Sequence, residues 1–314
     1  MKLKILQMIN KNSKIFIAGH NGLVGSSILR LLKKKGFKNI IVASKKKLDL
    51  TNQKETYKFL KKNKVDCTII AAALVGGIQK NINLQASFLT INSLIATNLI
   101  HGSYLSNVKN LLFLGSSCVY PGNLNVKIKE KSLLKGELEK SNEGYALAKI
   151  LGIKMCEYYS KKFKLNYFSL MPCNVFGQGD NYDLESSHFL PAIIKKILLL
   201  KNNNNKNKEL ILWGNGKAKR EVIHVDDLAN ACLYFLKRKK NPALINIGTD
   251  IEFSIKVFAA KVLKIMNVKA KIKYIKKNIT GTNRKKLDTS LAKKLGWKYT
   301  IKFEEGLKKT IKYL

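Results

Sequence analysis

Apolar positions along the first half of the chain fall into two alternating patterns. Residues 14–18 are a short apolar run ending at a glycine, the pattern of a buried parallel strand. Residues 26–35 carry apolar side chains at helical spacing and are closed by Gly36. The alternation then repeats. Strands are predicted over 39–43, 67–71, 111–114 and 167–170, and helices over 53–63, 84–106 and 145–163. Strands alternating with helices predict an α/β fold, a Rossmann-type doubly wound parallel sheet covered by helices on both faces.

The second half is less regular. A polar loop over 177–187 leads to a predicted helix over 188–200, and 202–208 reads as an exposed polar loop. Short strands are expected over 210–213 and 222–224. Asp226 is expected to cap a helix running to about 237, and 244–247 reads as one more parallel strand. This organisation implies a first domain over 1–177, completed by about 222–249. A smaller discontinuous lobe over 178–221 and 250–314 would lie over the sheet.

Composition narrows the possibilities. The 314 residues are 46% hydrophobic and 25% charged, an ordinary globular balance that leaves room for a second lobe. No apolar run reaches the roughly 18–20 residues of a membrane span, and residues 1–12 lack the apolar stretch of a secretory signal. Cys67, Cys118, Cys156, Cys173 and Cys232 are scattered, without a C-x-x-C pair, which fits a reducing cytoplasm and no metal site. The formal charge is +39, but the basic residues are mostly lysines spread along the whole chain beside many asparagines. That is coding bias toward Lys and Asn rather than a clustered nucleic-acid face, so no nucleic-acid or membrane partner is expected. A small polyanionic substrate is a more economical use of part of the charge.

Gly19, Gly22 and Gly25 stand in G-x-x-G-x-x-G spacing between the first strand and the first helix, with His20, Asn21, Leu23 and Val24 between them. Such a turn lets backbone approach a pyrophosphate at a helix N-terminus, so the turn points to a dinucleotide. NAD sites place an acid at the end of the second strand. Here that place reads Ala43-Ser44-Lys45-Lys46-Lys47, with no acid before Asp49, so a 2′-phosphate and NADP(H) are favoured, with Lys45 as a contact. Downstream, Tyr145 and Lys149 share one helix face, and Ser116 lies just past the strand over 111–114. An ammonium beside a phenol lowers its pKa, and a serine can complete the set around a carbonyl oxygen. This is hydride-transfer machinery, with Tyr145 exchanging the proton.

These residues resemble the extended short-chain dehydrogenase/reductase family of nucleotide-sugar enzymes. Phe16-Ile17-Ala18-Gly19-His20, Val75-Gly76-Gly77-Ile78, Gly115-Ser116-Ser117-Cys118-Val119-Tyr120-Pro121, Tyr145-Ala146-Leu147-Ala148-Lys149 and Arg220-Glu221-Val222-Ile223-His224-Val225-Asp226-Asp227 narrow it. They resemble the GDP-4-keto-6-deoxy-D-mannose 3,5-epimerase-4-reductases. The resemblance implies epimerisation at C3 and C5 of the GDP-sugar, then reduction of the C4 ketone by NADPH. It makes Cys118 and His188 the acid/base pair for epimerisation. Strand alternation would let Ser116 and Cys118 face one substrate, and nearby positive charge would lower the Cys118 pKa. The resemblance also places Leu114, Gly115, Ser117, Pro172, Cys173, Asn174, Val175 and His188 on the cofactor, and Trp213 and Arg220 on the guanosine diphosphate. It implies a homodimer through the helices over 84–106 and 145–163. The chain departs from the family pattern at Asn21, Lys45, Leu74, Lys196 and Thr280, the last two on the substrate side. Rival readings are the same chemistry on a 3,6-dideoxy sugar, an NAD-holding 4-epimerase, and a non-catalytic redox sensor or nucleic-acid binder.

Overall fold

A computed structural model describes residues 8–122, 124–202, 207–275 and 282–314. The main sheet has six parallel strands. They are β1 (Ile15–Ala18), β2 (Ile40–Ile41), β3 (Cys67–Ile70), β4 (Asn110–Leu114), β5 (Asn166–Pro172) and, after three intervening strands, β9 (Leu244–Ile247). Their spatial order is β2-β1-β3-β4-β5-β9. Strands β1, β3, β4 and β5 are buried on both faces, as the continuous apolar runs require. The predicted second strand is shorter than expected. Only Ile40 and Ile41 pair, at the sheet edge and half-buried, so nothing extends the ladder to residue 43.

Helices α1 (Leu23–Lys34), α2 (Gln53–Asn63), α3 (Ile78–Asn83), α4 (Gln85–Leu105) and α5 (Glu143–Phe163) follow in order, then α6 (Phe189–Lys201) and α7 (Val225–Leu236). The 21-residue helices α4 and α5 pack side by side, and α1 packs on α7. Asp226 is not the cap of α7. His224 holds that place, its Nδ1 accepting from the Asp226 N–H, while Asp226 in the first turn accepts from the Ser27 hydroxyl at 2.8 Å. Asp226 thus ties α7 to α1 beside the glycine turn.

Smaller sheets sit beyond the carboxyl end of the main one. They comprise β6 (Asn174–Phe176), β7 (Glu209–Trp213), β8 (Lys219–His224), β10 (Glu252–Ser254), β11 (Lys271–Ile275) and β12 (Arg284–Lys285). Strand β8 pairs antiparallel with β10 and parallel with β12 and β6; β11 pairs with β7. Helices α8 (Ile255–Met266), α9 (Ser290–Lys294) and α10 (Phe303–Ile311) complete the chain. Two apolar cores result. The larger surrounds the six-stranded sheet; the smaller joins α6, α8 and α10 around Ile193, Ile197, Phe258 and Leu307. Leu287, Ala292 and Trp297 belong to the larger core, so the chain returns to it after residue 282. Along β8 the side chains alternate: Val222 enters the smaller core and Ile223 the larger.

Candidate active site

In the spatial order of the main sheet, β1 and β3 lie at the switch point, where open α/β folds bind ligands beyond the strand ends. A cleft of about 550 Å³ opens there and runs to the smaller lobe. Its floor begins at the glycine turn. Gly19 has φ +85°, and a Cβ on it would stand 2.6 Å from the Ala72 nitrogen. A Cβ on Gly25 would lie 2.1 Å from the Gly19 carbonyl oxygen, so only glycine lets α1 start this close to β1. Gly22 caps α1, and the first-turn N–H groups have no intrahelical acceptor. This cradle fits a dinucleotide pyrophosphate: Gly22, Leu23 and Val24 line the cleft. Gly19, His20, Asn21 and Gly25 do not line it; the two glycines shape it from beneath. Lys45 is exposed in the turn after β2, its charge acting on Asp49, and is also outside the lining.

The chemical centre lies at the end of β4. Leu114, Gly115, Ser116, Ser117 and Cys118 line the cleft with Tyr145, Lys149, Pro172, Cys173, Asn174, Val175 and His188. Ser116 and Cys118 do face each other, but through a different device from the strand alternation expected. Ser116 is the extended cap of a 3₁₀ turn over Ser117–Val119, which folds the Cys118 sulfur to 3.1 Å from the Ser116 hydroxyl. Lys149, on the buried face of α5, donates to the Leu114 carbonyl at 2.8 Å, and its ammonium is 5.6 Å from the Tyr145 ring centre. Burial pushes the Lys149 pKa down to about 8. Burial also raises the Tyr145 pKa above its ordinary value, against the lowering expected from Lys149; the phenol is held as a proton donor.

Cys118 likewise departs from expectation. Burial raises its pKa, and the opposing charges of Lys285 and Lys149 and the Ser116 hydrogen bond only moderate the rise. His188 stands at the N-cap of α6 and lines the cleft, and desolvation lowers its pKa below 6.5. Both shifts favour the neutral forms of the pair, a thiol and an imidazole. In these forms the pair carries one proton in total, as a thiolate and an imidazolium would.

At the far end, Lys196, Trp213 and Arg220 line the cleft. The Lys196 ammonium lies 5.7 Å over the Trp213 ring and donates to the Ile211 carbonyl. Thr280 lies outside the described residues. Further residues line the cleft, among them Glu139 and Lys285, to which the sequence assigns no role. Glu139 precedes a 3₁₀ turn with no motif of its own. Lys285 is one of 59 basic residues, and nothing in composition marks it. Among the described residues, no group of histidine, cysteine and carboxylate side chains could hold a metal ion.

Sheet, glycine cradle and Ser–Tyr–Lys set together define a nucleotide-sugar short-chain dehydrogenase/reductase, and the chain belongs to the NAD dependent epimerase/dehydratase family, whose model matches residues 15–248. Within that family it resembles the GDP-L-fucose synthases. It is 42% identical to a putative GDP-L-fucose synthase 2 of Arabidopsis thaliana, over 98% of this chain and 93% of that one. A GDP-L-colitose synthase of Yersinia pseudotuberculosis is 37% identical over 96% of this chain and 97% of its own. Among solved structures, a GDP-mannoheptose C4 reductase of Campylobacter jejuni with NADP bound superposes with a TM-score of 0.88 at 33% identity. That match covers 97% of this chain and 99% of the reductase.

Proposed function

We propose that this protein converts GDP-4-keto-6-deoxy-D-mannose to GDP-L-fucose, by epimerisation at C3 and C5 followed by NADPH-dependent reduction at C4. The observation that carries the proposal is the placement of Cys118 and His188 in the same cleft as Ser116, Tyr145 and Lys149. Reduction at C4 is served by Ser116, Tyr145 and Lys149, which leaves Cys118 and His188 for proton transfer at C3 and C5.

Protons on C3 and C5 are acidified by the C4 ketone between them. Neutral His188 can take such a proton, and the Cys118 thiol can return one to the opposite face, which inverts the centre. One side chain acting alone would tend to restore the starting configuration. Ser116 donates to the C4 oxygen, and Tyr145 gives that oxygen its proton. Lys149, held by the Leu114 carbonyl, keeps positive charge beside the phenol as the proton leaves. NADPH, when bound, supplies the hydride to C4. The cradle of Gly22, Leu23 and Val24 would hold its pyrophosphate, with Lys45 toward the 2′-phosphate and Asn174 and Val175 along the nicotinamide ribose. Trp213, Arg220 and Lys196 would take the guanosine diphosphate: an indole gives a nucleoside an apolar face and a guanidinium forks onto phosphate.

The same chemistry on a 3,6-dideoxy sugar is the second reading, favoured by the similarity to the colitose synthase. Incubation with NADPH and each GDP-4-keto sugar in D₂O, followed by NMR of the product, decides between them. Deuterium at C3 and C5 with an L-galacto product from the 6-deoxy substrate supports the proposal. Reduction without deuterium uptake would leave a plain C4 reductase and overturn it.

The assembly we propose is a homodimer through α4 and α5, whose Leu94, Leu105, Leu147, Leu151 and Tyr158 are exposed in the single chain. We place its action in the cytoplasm, in keeping with five unpaired cysteines. No described helix is long and apolar enough to cross a membrane.

A further inference from the structure

We propose that Lys285 is a positioning residue of the epimerisation chemistry, its ammonium serving as counter-ion to Cys118 whenever that sulfur is ionised. The proposal rests on the reading of Cys118 as a proton carrier. It starts from the backbone around residue 285. Strand β12 pairs with β8 so that Lys285 lies beside Arg220, and successive side chains of a strand point to opposite sides. Arg284 is drawn to the outer side by a fork of hydrogen bonds to the Glu252 carboxylate at 2.6–3.0 Å, and it also donates to the Asn125 carbonyl. Just beyond, the Leu287 N–H donates to the buried Glu221 carboxylate at 2.9 Å. The strand is thus held on both sides of Lys285, and its side chain is turned into the cleft.

There the ammonium is largely enclosed by protein. Among the described residues no carboxylate forms a salt bridge with it. A desolvated, unpaired ammonium is costly, so the position needs an anion. The groups around it are few. Arg220 is a second cation beside it, and Glu139 offsets part of their combined charge. Lys285, Lys149, Tyr145 and Ser116 line the same cleft as Cys118, and Ser116 touches its sulfur. Lys149 is committed to the Leu114 carbonyl and Ser116 is neutral. Burial lowers the Lys285 pKa and raises that of Cys118; each opposes the other's shift, and Lys285 favours the ionised sulfur more than Lys149 does. A thiol that burial keeps protonated can cycle through thiolate only if such a charge is in place.

The test reads the thiol itself. Alkylation of Cys118 by iodoacetamide, followed by peptide mass spectrometry across pH, gives its titration midpoint in the intact protein. Wild type, Lys285→Met and Lys285→Arg are compared, with Lys285→Gln as a second neutral variant and thermal melting as a check of folding. The neutral variants should raise the midpoint by about one pH unit or more, which slows labelling roughly tenfold below the midpoint. Lys285→Arg should restore it. The limb of C3 and C5 deuterium exchange that follows Cys118 should move with it, while NADPH affinity stays unchanged. An unmoved labelling profile overturns the proposal. So does a neutral variant that only raises KM for the GDP-sugar, since Lys285 would then serve the diphosphate. Because labelling needs no substrate, a shifted midpoint in a protein that shows no exchange would sustain the Lys285–Cys118 pairing and defeat the epimerase reading instead.

Discussion

The Cys118 sulfur and the Ser116 hydroxyl are in contact at 3.1 Å, across one 3₁₀ turn. The group proposed for the C4 oxygen therefore touches the group proposed for its neighbouring carbons. A hexose needs to move little between epimerisation and reduction, because C3, C4 and C5 are consecutive atoms of one ring. The contact also means that the two steps share a hydrogen-bond partner, so the effects of mutating them will not simply add.

Replacement of Tyr145 by Phe removes the proton donor and keeps the ring packed edge-on against Phe88. Reduction should fall by about 10²-fold or more, the scale of a positioned general acid. Deuterium entry at C3 and C5 should survive. Single-turnover oxidation of NADPH at near wild-type rate would remove Tyr145 from this role.

Cys118→Ser and His188→Asn should each slow deuterium incorporation strongly. NADPH affinity, followed by fluorescence titration, should stay nearly constant in Cys118→Ser. Both variants keep Tyr145 and Lys149, so each should release some C4-reduced sugar of the wrong configuration, visible by NMR. Normal deuterium uptake in both would end the assignment.

The pH dependence follows from opposite shifts. Exchange needs the pair to carry one proton. His188 is depressed below 6.5, so acid inactivation should set in below that value. Cys118 is raised above 9.0, so alkaline inactivation should set in above it. The exchange profile should therefore be wider than free imidazole and thiol would give, with limbs that move apart rather than together. Reduction should fail earlier on the alkaline side. It needs a charged Lys149, whose pKa is pushed down to about 8, and its charge is lost as pH rises through that value. Coincident alkaline limbs for exchange and reduction would contradict this assignment.

The fold was legible because its strands are apolar runs and its helices keep their spacing, and all six main strands lie within two residues of their expected ends. The Ser116–Tyr145–Lys149 set was equally plain. The protonation states were not. Sequence places Lys149 one turn from Tyr145, but it does not say that Lys149 is buried and Tyr145 half-buried, and desolvation outweighs their attraction. Lys285 was hidden for the opposite reason. A lysine signals little in a chain with 59 basic residues, and only the pairing of β12 with β8 brings it to the cleft.

Gly25→Ala tests the cradle. The added methyl would press on the Gly19 carbonyl from 2.1 Å, and α1 would have to retreat from β1. A stability loss of about 1–3 kcal/mol is expected from such overpacking, with a larger proportional loss of NADPH affinity. Chemical denaturation and cofactor titration measure the two separately. Unchanged affinity would show that the turn does not carry the pyrophosphate.

Cofactor choice is the remaining test. With no acid at the end of β2, kcat/KM should favour NADPH over NADH, and the double change Ser44→Asp with Lys45→Ala should erode that preference. Equal use of both cofactors by the unaltered protein would rule out Lys45 as the discriminating contact.

Strand β8 has a mechanical consequence. Its alternate side chains root in different cores, through Val222 and Ile223, and backbone ladders clamp it to three other strands. What joins the lobes is thus a shared beam rather than a linker. Opening the cleft by a wide hinge would mean breaking ladder hydrogen bonds, so substrate must enter a jaw of nearly fixed gape. Selectivity then falls to the shape and charge of the walls, and loosening either core should slacken the grip of the other.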